Sequence, residues 1–360
     1  MLICVKVAAR GDLIMASAAF GWLRATRPSE RMALVVGSTC LDVASHLPFF
    51  DELRVIDDRA LFTGSPAARL RAVGELTRAL RRPGPGGDRV SEVFLLHRDW
   101  RYGAVAAVAG VPTRRGFATP RGTRLLTHPY HVAPGEHDVH QYLGMVGAPP
   151  EVATGGDLMA GAWHWAPGER EAALSTAAGL GFRPDAGEWV ALGFGGGQNV
   201  KTKTALKAWP VEYYRALARA LVESGRRVVW LGDGHDAALL GAEFDGFSLA
   251  GKLTVPESAA VLEACSAAVA NDTFLLHLAQ AVGVPAVGIF GPTDPAHYGP
   301  VGRGSSHLWL GPARVPCSPC HDNGYFPPCV NAHRCMRDLP VDAVLDRVLA
   351  TLGERAVPAR

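Results

Sequence analysis

The sequence predicts an α/β chain of two doubly wound parallel-sheet domains. Three observations carry that prediction. The 360 residues suit two domains better than one. Short apolar runs alternate with longer amphipathic ones along most of the chain, and that alternation builds a parallel sheet with helices on both faces. The pattern breaks at residues 148–168, where Pro and Gly stand at both ends, and then restarts. A hydrophobic content of 48% is enough for two sizeable cores.

The elements follow in order. LICVKVA reads as a buried strand, then a Gly-Asp turn, then a helix over residues 13–26. MALVVG is a strand, followed by a helix near residues 40–47. LRVID is a strand, with a helix around residues 66–82 and a Pro/Gly break from Pro83 to Gly87. VSEVFLLH is a strand and RYGAVAAVAG a small-residue helix. Residues 112–138, rich in Arg, Gly, Thr and His, read as cleft-facing loops and short strands, and His140 to Gly147 as a helix. After the linker, WVALGFGGG is a strand entering a Gly-rich turn, and Pro210 to Ser224 a helix with Pro in its first turn. RRVVWLGDG, FSLAG, AAVAND and PAVGIFGPTDP supply further strands, and Pro256 to Cys265 and Thr273 to Val282 further helices. A cysteine-rich loop and a helix from Val341 to Leu352 finish the chain. The expected domains are residues 1–160 and 166–340, with a terminal helix and tail over 341–360.

Composition narrows the partners. Lys and Arg total 36 against 34 Asp and Glu, a formal net charge of +2, which gives no case for bulk nucleic-acid binding. No apolar run approaches the length of a bilayer span, and MLICVKVAARGD lacks a signal-peptide layout. A cytoplasmic location is therefore expected. There the seven cysteines stay mostly reduced, so clustered ones suggest metal before disulfide.

Three Gly-containing turns follow strands: Gly11-Asp12, Gly193 to Gly197, and Gly232 to Gly234. Ligands of doubly wound sheets bind at the carboxyl ends of strands, but singly each turn is more simply a tight strand-to-helix connection. No G-x-G-x-x-G in context and no P-loop is present. The segment AVANDTFLLHLAQAVGVPAVGIFGPTDP says more. A strand ends at Asn271-Asp272 and a helix begins at Thr273, so Asp272 can cap it. The first turn of that helix suits a diphosphate. His277 is near enough to reach the same ligand, or is a satisfied core histidine. Gly291-Pro292-Thr293 closes the pocket with a rigid loop.

This segment resembles the bacterial lipopolysaccharide heptosyltransferases, glycosyltransferase family 9, which have the GT-B fold of two Rossmann-like domains facing across a cleft. Ala9-Arg10-Gly11-Asp12 looks like that family's Gly-Asp motif, and Lys207-Ala208-Trp209-Pro210 like its Lys-Arg-Trp-Pro motif. Cys317-Ser318-Pro319-Cys320, with Cys329 and Cys335, is similar to a cysteine loop in many members. The resemblance implies inverting, metal-independent transfer of a heptose-like sugar from an ADP-sugar. It places the acceptor on the first domain and the donor on the second. Asp12 matches the general base. Lys207 matches a donor-phosphate ligand, with Thr202 or Thr204 near family hydroxyl ligands. Asp272, Thr273 and His277 match the donor helix start. Leu253, after Gly251-Lys252, matches a residue lining the nucleobase pocket. The acidic ribose ligand falls on Asp233 or Asp236.

The chemistry agrees with those roles. Inverting transfer needs a base for the acceptor hydroxyl's proton, although Asp12 taken alone reads as a cap on the helix over 13–26. A Lys and a helix N-terminus can stabilise the departing diphosphate. Arg69, Arg71, Arg78, Arg81 and Arg82 on the helix around 66–82 read as a solvated face. Arg114, Arg115, Arg121 and Arg124 suit an anionic acceptor such as a phosphate-bearing lipid core, with peripheral contact at the inner membrane. The spacing C-x2-C-x8-C-x5-C can hold structural zinc or iron, or be a reduced loop. Cys4, Cys40 and Cys265 read as small buried apolar residues. Other readings are a nucleotide-sugar epimerase or hydrolase, a non-catalytic scaffold, and a transferase acting on a protein or natural product.

Overall fold

The computed structural model describes residues 1–154, 158–159, 161–197, 205–321 and 325–355. The chain divides into two compact units, one of Met1–Leu158 and one beginning at Met159. In the first unit the order is β1 (Leu2–Val5), α1 (Arg10–Met15), α2 (Ser17–Thr26), β2 (Met32–Gly37), α3 (Leu41–Ala44), β3 (Glu52–Ile56), α4 (Asp58–Thr63), α5 (Pro66–Arg81), β4 (Glu92–Leu95), α6 (Trp100–Val108), β5 (Thr113–Phe117), β6 (His128–Tyr130) and α7 (Asp138–Met145). The second unit has α8 (Glu169–Gly179), β7 (Trp189–Gly193), α9 (Val211–Glu223), β8 (Arg227–Leu231), α10 (Gly234–Leu240), β9 (Phe247–Ser248), α11 (Val255–Glu263), β10 (Ala267–Asn271), α12 (Phe274–Ala281), β11 (Ala286–Phe290), α13 (Pro295–Tyr298), β12 (Ser306–Trp309), α14 (Gly311–Arg314), α15 (Arg334–Arg337) and α16 (Val341–Arg355).

Among the described residues each unit holds one six-stranded parallel sheet. The orders are β3-β2-β1-β4-β5-β6 and β9-β8-β7-β10-β11-β12. These are the same doubly wound order. In such a sheet the chain leaves the two central strands in opposite directions and opens a crevice at their carboxyl ends. That switch point lies between β1 and β4 in one unit and between β7 and β10 in the other.

The central strands read as continuous apolar runs because both faces are covered. LICV of β1, AAVAN of β10 and AVGIF of β11 are buried throughout. One core gathers Ile3, Val5, Val35, Val93 and Leu95 with Leu76 and Leu80 of α5. The other gathers Leu192, Trp230, Val269 and Ile289 with Leu217 and Leu221 of α9. Val344, Val348 and Leu352 of α16 belong to that second core.

Several local details differ from the sequence expectations. The helix expected over 13–26 is two helices that meet at Ala16, and the first starts at Arg10. Gly11 and Asp12 therefore lie inside α1 and form no turn. Helices α8 and α10 and strand β12 went unpredicted. EREAALSTAAG of α8 has only Ala173 and Ala177 buried, so its small-residue stripe gives a weak periodic signal. No helix among the described residues is long and apolar enough to cross a membrane.

Candidate active-site residues

Both groups of charged residues lie at the switch points. In the first unit β1 runs directly into Lys6, whose side chain is only 3% exposed. Its ammonium donates to Asp12 Oδ2 at 3.0 Å, to the Tyr142 hydroxyl at 3.0 Å and to the Leu96 carbonyl at 3.2 Å. Burial by itself depresses a lysine pKa, but Asp12 and Tyr142 outweigh it and hold Lys6 above the ordinary value. Burial raises the Tyr142 hydroxyl, against the pull of Lys6. His97, which follows β4, accepts from the Val7 N–H at 2.8 Å and stacks on Tyr102. Beta strands β1 and β4 are thus tied together just past their carboxyl ends, beside Asp12.

Asp12 is 43% exposed and is the third residue of α1. Ala9 occupies the N-cap position and provides no side-chain cap. The reading of Asp12 as the cap of a helix over 13–26 does not apply, because the helix begins before it.

The arginines expected to line the acceptor side separate into two pairs. Arg121 and Arg124 are exposed in the segment after β5. Arg114 and Arg115 are on β5 itself. The Arg114 guanidinium donates to the carbonyls of Leu125 and Val111, each at 2.7 Å. Arg115 pairs with Glu92, which also takes Arg27 at 2.5 Å. Glu92 opens β4, level with Leu2. Arg115 therefore reaches toward the amino end of the sheet, and Asp12 lies past the other end. Burial works against the Glu92 charge, but its two arginines hold the carboxyl below the usual range.

In the second unit Asn271 ends β10 and is fully buried. Its Oδ1 accepts from the Trp209 N–H at 3.1 Å and the Tyr214 hydroxyl at 3.2 Å. Its Nδ2 donates to the carbonyls of Phe194 and Gly195 at 3.0 and 2.9 Å. All four bonds of the amide are made, and they lock the ends of β7 and β10 to the Lys-Ala-Trp-Pro segment. Trp209 is 1% exposed and its indole donates to the Leu339 carbonyl at 3.1 Å. In the sequence Asn271 reads only as a strand end, yet an amide closing an otherwise apolar strand needs buried partners.

With Trp209 fixed, Lys207 is held over Asp272. Its ammonium is 2.6 Å from Oδ2 and donates to the Asp272 carbonyl at 3.2 Å. His277 Nε2 is 4.0 Å from Oδ1. Burial raises the Asp272 pKa, but Lys207, then His277, and contacts from Lys207 and Thr293 bring it below the usual value. Thr293 Oγ1 is buried there without a hydrogen bond of good geometry among the described residues. Asp272 is not the cap of α12. Thr273 is the N-cap and makes no side-chain cap bond. A Cβ on Gly193 would come 2.6 Å from the Leu275 side chain, so glycine lets α12 seat close to β7.

Asp233 is exposed and caps α10 through the N–H groups of His235 and Asp236. Asp236 is set deeper. A Cβ on Gly195 or Gly232 would strike its carboxylate, at 2.1 and 2.6 Å. Asp236 thus fills the space between two Gly turns, where burial raises its pKa. The Gly251-Lys252-Leu253 turn sits on the start of α10: Gly251 has φ +72°, and a Cβ there would be 3.1 Å from Gly234 Cα. Lys252 donates to the Ser248 carbonyl at 2.9 Å. Thr202 and Thr204 lie outside the described residues.

The cysteine loop buttresses this group. Cys320 and His321 both donate backbone N–H to the Pro292 carbonyl at 2.9 Å. Gly291 packs against Met336, with no room for a Cβ. His333 bonds to the Leu206 carbonyl, and Phe326 places its ring 5.9 Å from Lys207 Nζ. Cys317, Cys320, Cys329 and Cys335 line one cavity of about 190 Å³. No disulfide joins any of the seven cysteines among the described residues. Among the described residues no three His, Cys, Asp or Glu side chains converge tightly enough to hold an ion. Burial, then the neighbouring thiols, push Cys335 up to about 12 and raise Cys320.

Comparison with known proteins agrees with this architecture. The profile described as "Glycosyltransferase family 9 (heptosyltransferase)" matches residues 93–325, about two thirds of the chain. Lipopolysaccharide heptosyltransferase 1 of Pseudomonas aeruginosa is 37% identical over 123 residues, which is 33% of this chain and 34% of that one. Lipopolysaccharide heptosyltransferase 2 of Escherichia coli is 24% identical over 301 residues, 79% of this chain and 81% of that one. The solved structure of E. coli ADP-heptose lps heptosyltransferase II superposes with a TM-score of 0.71 at 20% identity, covering 99% of both chains. The fold is therefore GT-B, two Rossmann-like domains.

Proposed function

The chain belongs to glycosyltransferase family 9, and on that premise we propose that it is an inverting enzyme moving a heptose-like sugar from an ADP-sugar to a saccharide acceptor such as lipopolysaccharide core. The observation that carries this reading is Lys207 fixed at 2.6 Å from Asp272, beside the start of α12 at a switch point. A lysine has three N–H groups. Two go to Asp272, and the pair aims the third. That N–H and the positive end of α12 are suited to the two phosphates of a departing nucleoside diphosphate.

Asp12 is the proposed base. It takes the acceptor hydroxyl's proton as that oxygen attacks the anomeric carbon. The glycosidic bond forms on one face as the bond to diphosphate breaks on the other, which inverts the centre. Thr202, Thr204, Thr273, His277 and Thr293 are proposed phosphate and sugar ligands. Asp233 or Asp236 would hold the ribose, with Leu253 against the base. Arg121 and Arg124 are the proposed acceptor contacts. A cytoplasmic chain at the inner face of the inner membrane fits a lipid-linked acceptor. The four-cysteine cavity is the proposed seat of a structural zinc or iron ion, for which the thiols would have to draw together and ionise.

The test is mass spectrometry of a panel of nucleotide sugars incubated with candidate acceptors, with NMR of the anomeric proton in any product. Transfer from ADP-heptose with inversion is expected. Donor turnover without acceptor would instead indicate an epimerase or hydrolase. Donor binding without any turnover would indicate a scaffold.

A further inference from the structure

We propose that Lys6, backed by Tyr142, is a positioning residue for Asp12 that fixes the orientation and charge of the catalytic carboxylate. The inference rests on Asp12 being the base. Lys6 is the charged residue in the otherwise apolar LICVKVA run, and its side chain is 3% exposed. A buried ammonium is costly unless fully paired, and this one is. Its three donors go to Asp12 Oδ2, the Tyr142 hydroxyl and the Leu96 carbonyl. With all three committed, Lys6 has no N–H left for a substrate. Its effect passes through Asp12.

The anchors are rigid. Lys6 directly follows β1, Leu96 directly follows β4, and Tyr142 is buried on α7. Tyr142 packs its ring 5.9 Å from Phe117. Three separate elements therefore fix one nitrogen, and that nitrogen fixes Oδ2. Because a carboxylate is planar, holding Oδ2 sets where Oδ1 points. The ammonium 3.0 Å away is also the counter-charge that favours the carboxylate form. A base in its proton-accepting form and in one orientation is what attack by a hydroxyl of high pKa requires.

The test compares wild type, Lys6→Met, Tyr142→Phe and Asp12→Asn in the full chain. The readouts are kcat, donor KM, the pH profile of kcat/KM, and a carboxyl-carbon NMR titration of Asp12. Lys6→Met is expected to lower kcat at least about tenfold with donor KM unchanged. It should move the acid limb and the NMR titration upward by about one pH unit. Tyr142→Phe should move both the same way by less, because it removes only the bond that orients Lys6. A folded Lys6→Met enzyme with unshifted titration and wild-type kcat overturns the proposal. If Lys6→Met does not fold, Tyr142→Phe decides by the same two readouts. Full activity in Asp12→Asn would instead refute Asp12 as the base, a different failure from a silent Lys6.

Discussion

Lys207 and Asp272 are 65 residues apart in sequence, yet the lysine donates to both the carboxylate and the backbone carbonyl of the aspartate. The pair is 18% and 6% exposed. Its geometry depends on Trp209 and Asn271 behind it. Lys207→Met should weaken ADP binding about 10- to 100-fold, the size of one lost charge-assisted bond of roughly 1.5–3 kcal/mol. Asp272→Asn should also weaken it, since Lys207 then loses its aim. Calorimetric titration with ADP checks both. Wild-type affinity in both variants would remove the pair from the donor site. The Asp272 pKa is lowered in the fold, so the pair persists above the ordinary carboxylate range and is lost as pH falls through the lower folded value.

Asp12→Asn keeps size and hydrogen bonding but loses the basic oxygen. General-base help is typically worth about 10²–10⁴ in rate, so kcat should fall at least about 100-fold. ADP affinity should survive, because Asp12 is in the first unit, while the melting temperature should fall somewhat, because buried Lys6 keeps a hydrogen bond to Asn but loses its counter-charge. Near-normal kcat with chemistry rate-limiting would leave the mechanism without its base.

The arginines should divide by role. Replacing Arg121 and Arg124 with Ala should raise acceptor KM and leave donor KM alone, and added salt should act the same way on wild type. Arg115→Ala should instead lower the melting temperature, because it strips one partner from buried Glu92. Glu92→Gln should cost about 1–3 kcal/mol at neutral pH. Glu92 has a lowered folded pKa, so its contribution is full above the ordinary glutamate value of roughly 4.3 and disappears as pH falls through the lower folded one. Denaturation midpoints of the two proteins should converge in that acid window. A constant gap down to pH 3 would exclude this cause.

The cysteine loop connects to the proposed donor residues through Pro292, Leu206 and Lys207. If it holds a structural ion, protein purified without an affinity tag should contain near-stoichiometric zinc or iron. Cys335→Ser should then lower the melting temperature and raise donor KM more than it changes kcat. Metal-free protein of full stability would remove the ion but leave the loop's contacts, and Phe326→Ala would still be expected to raise donor KM.

The sequence by itself determined the alternation of strands and helices, and with it two parallel sheets. Local periodicity is sufficient for that, because a strand covered on both faces must be apolar along its length, as AVGIF and LICV are. The motif resemblance singled out Asp12, Lys207, Asp272 and His277, and of these the structure brings Lys207, Asp272 and His277 together. The sequence could not separate Arg115 from Arg121. They are six positions apart, but one runs back to Glu92 and the other is exposed past the strand. It did not mark Lys6, which gains meaning only when Asp12, Leu96 and Tyr142 meet around it. Nor could it place Asp236 between Gly195 and Gly232, or tie the cysteine loop to Pro292. Most of those relations join residues tens of positions apart, and only the packing of the finished sheets brings them into contact.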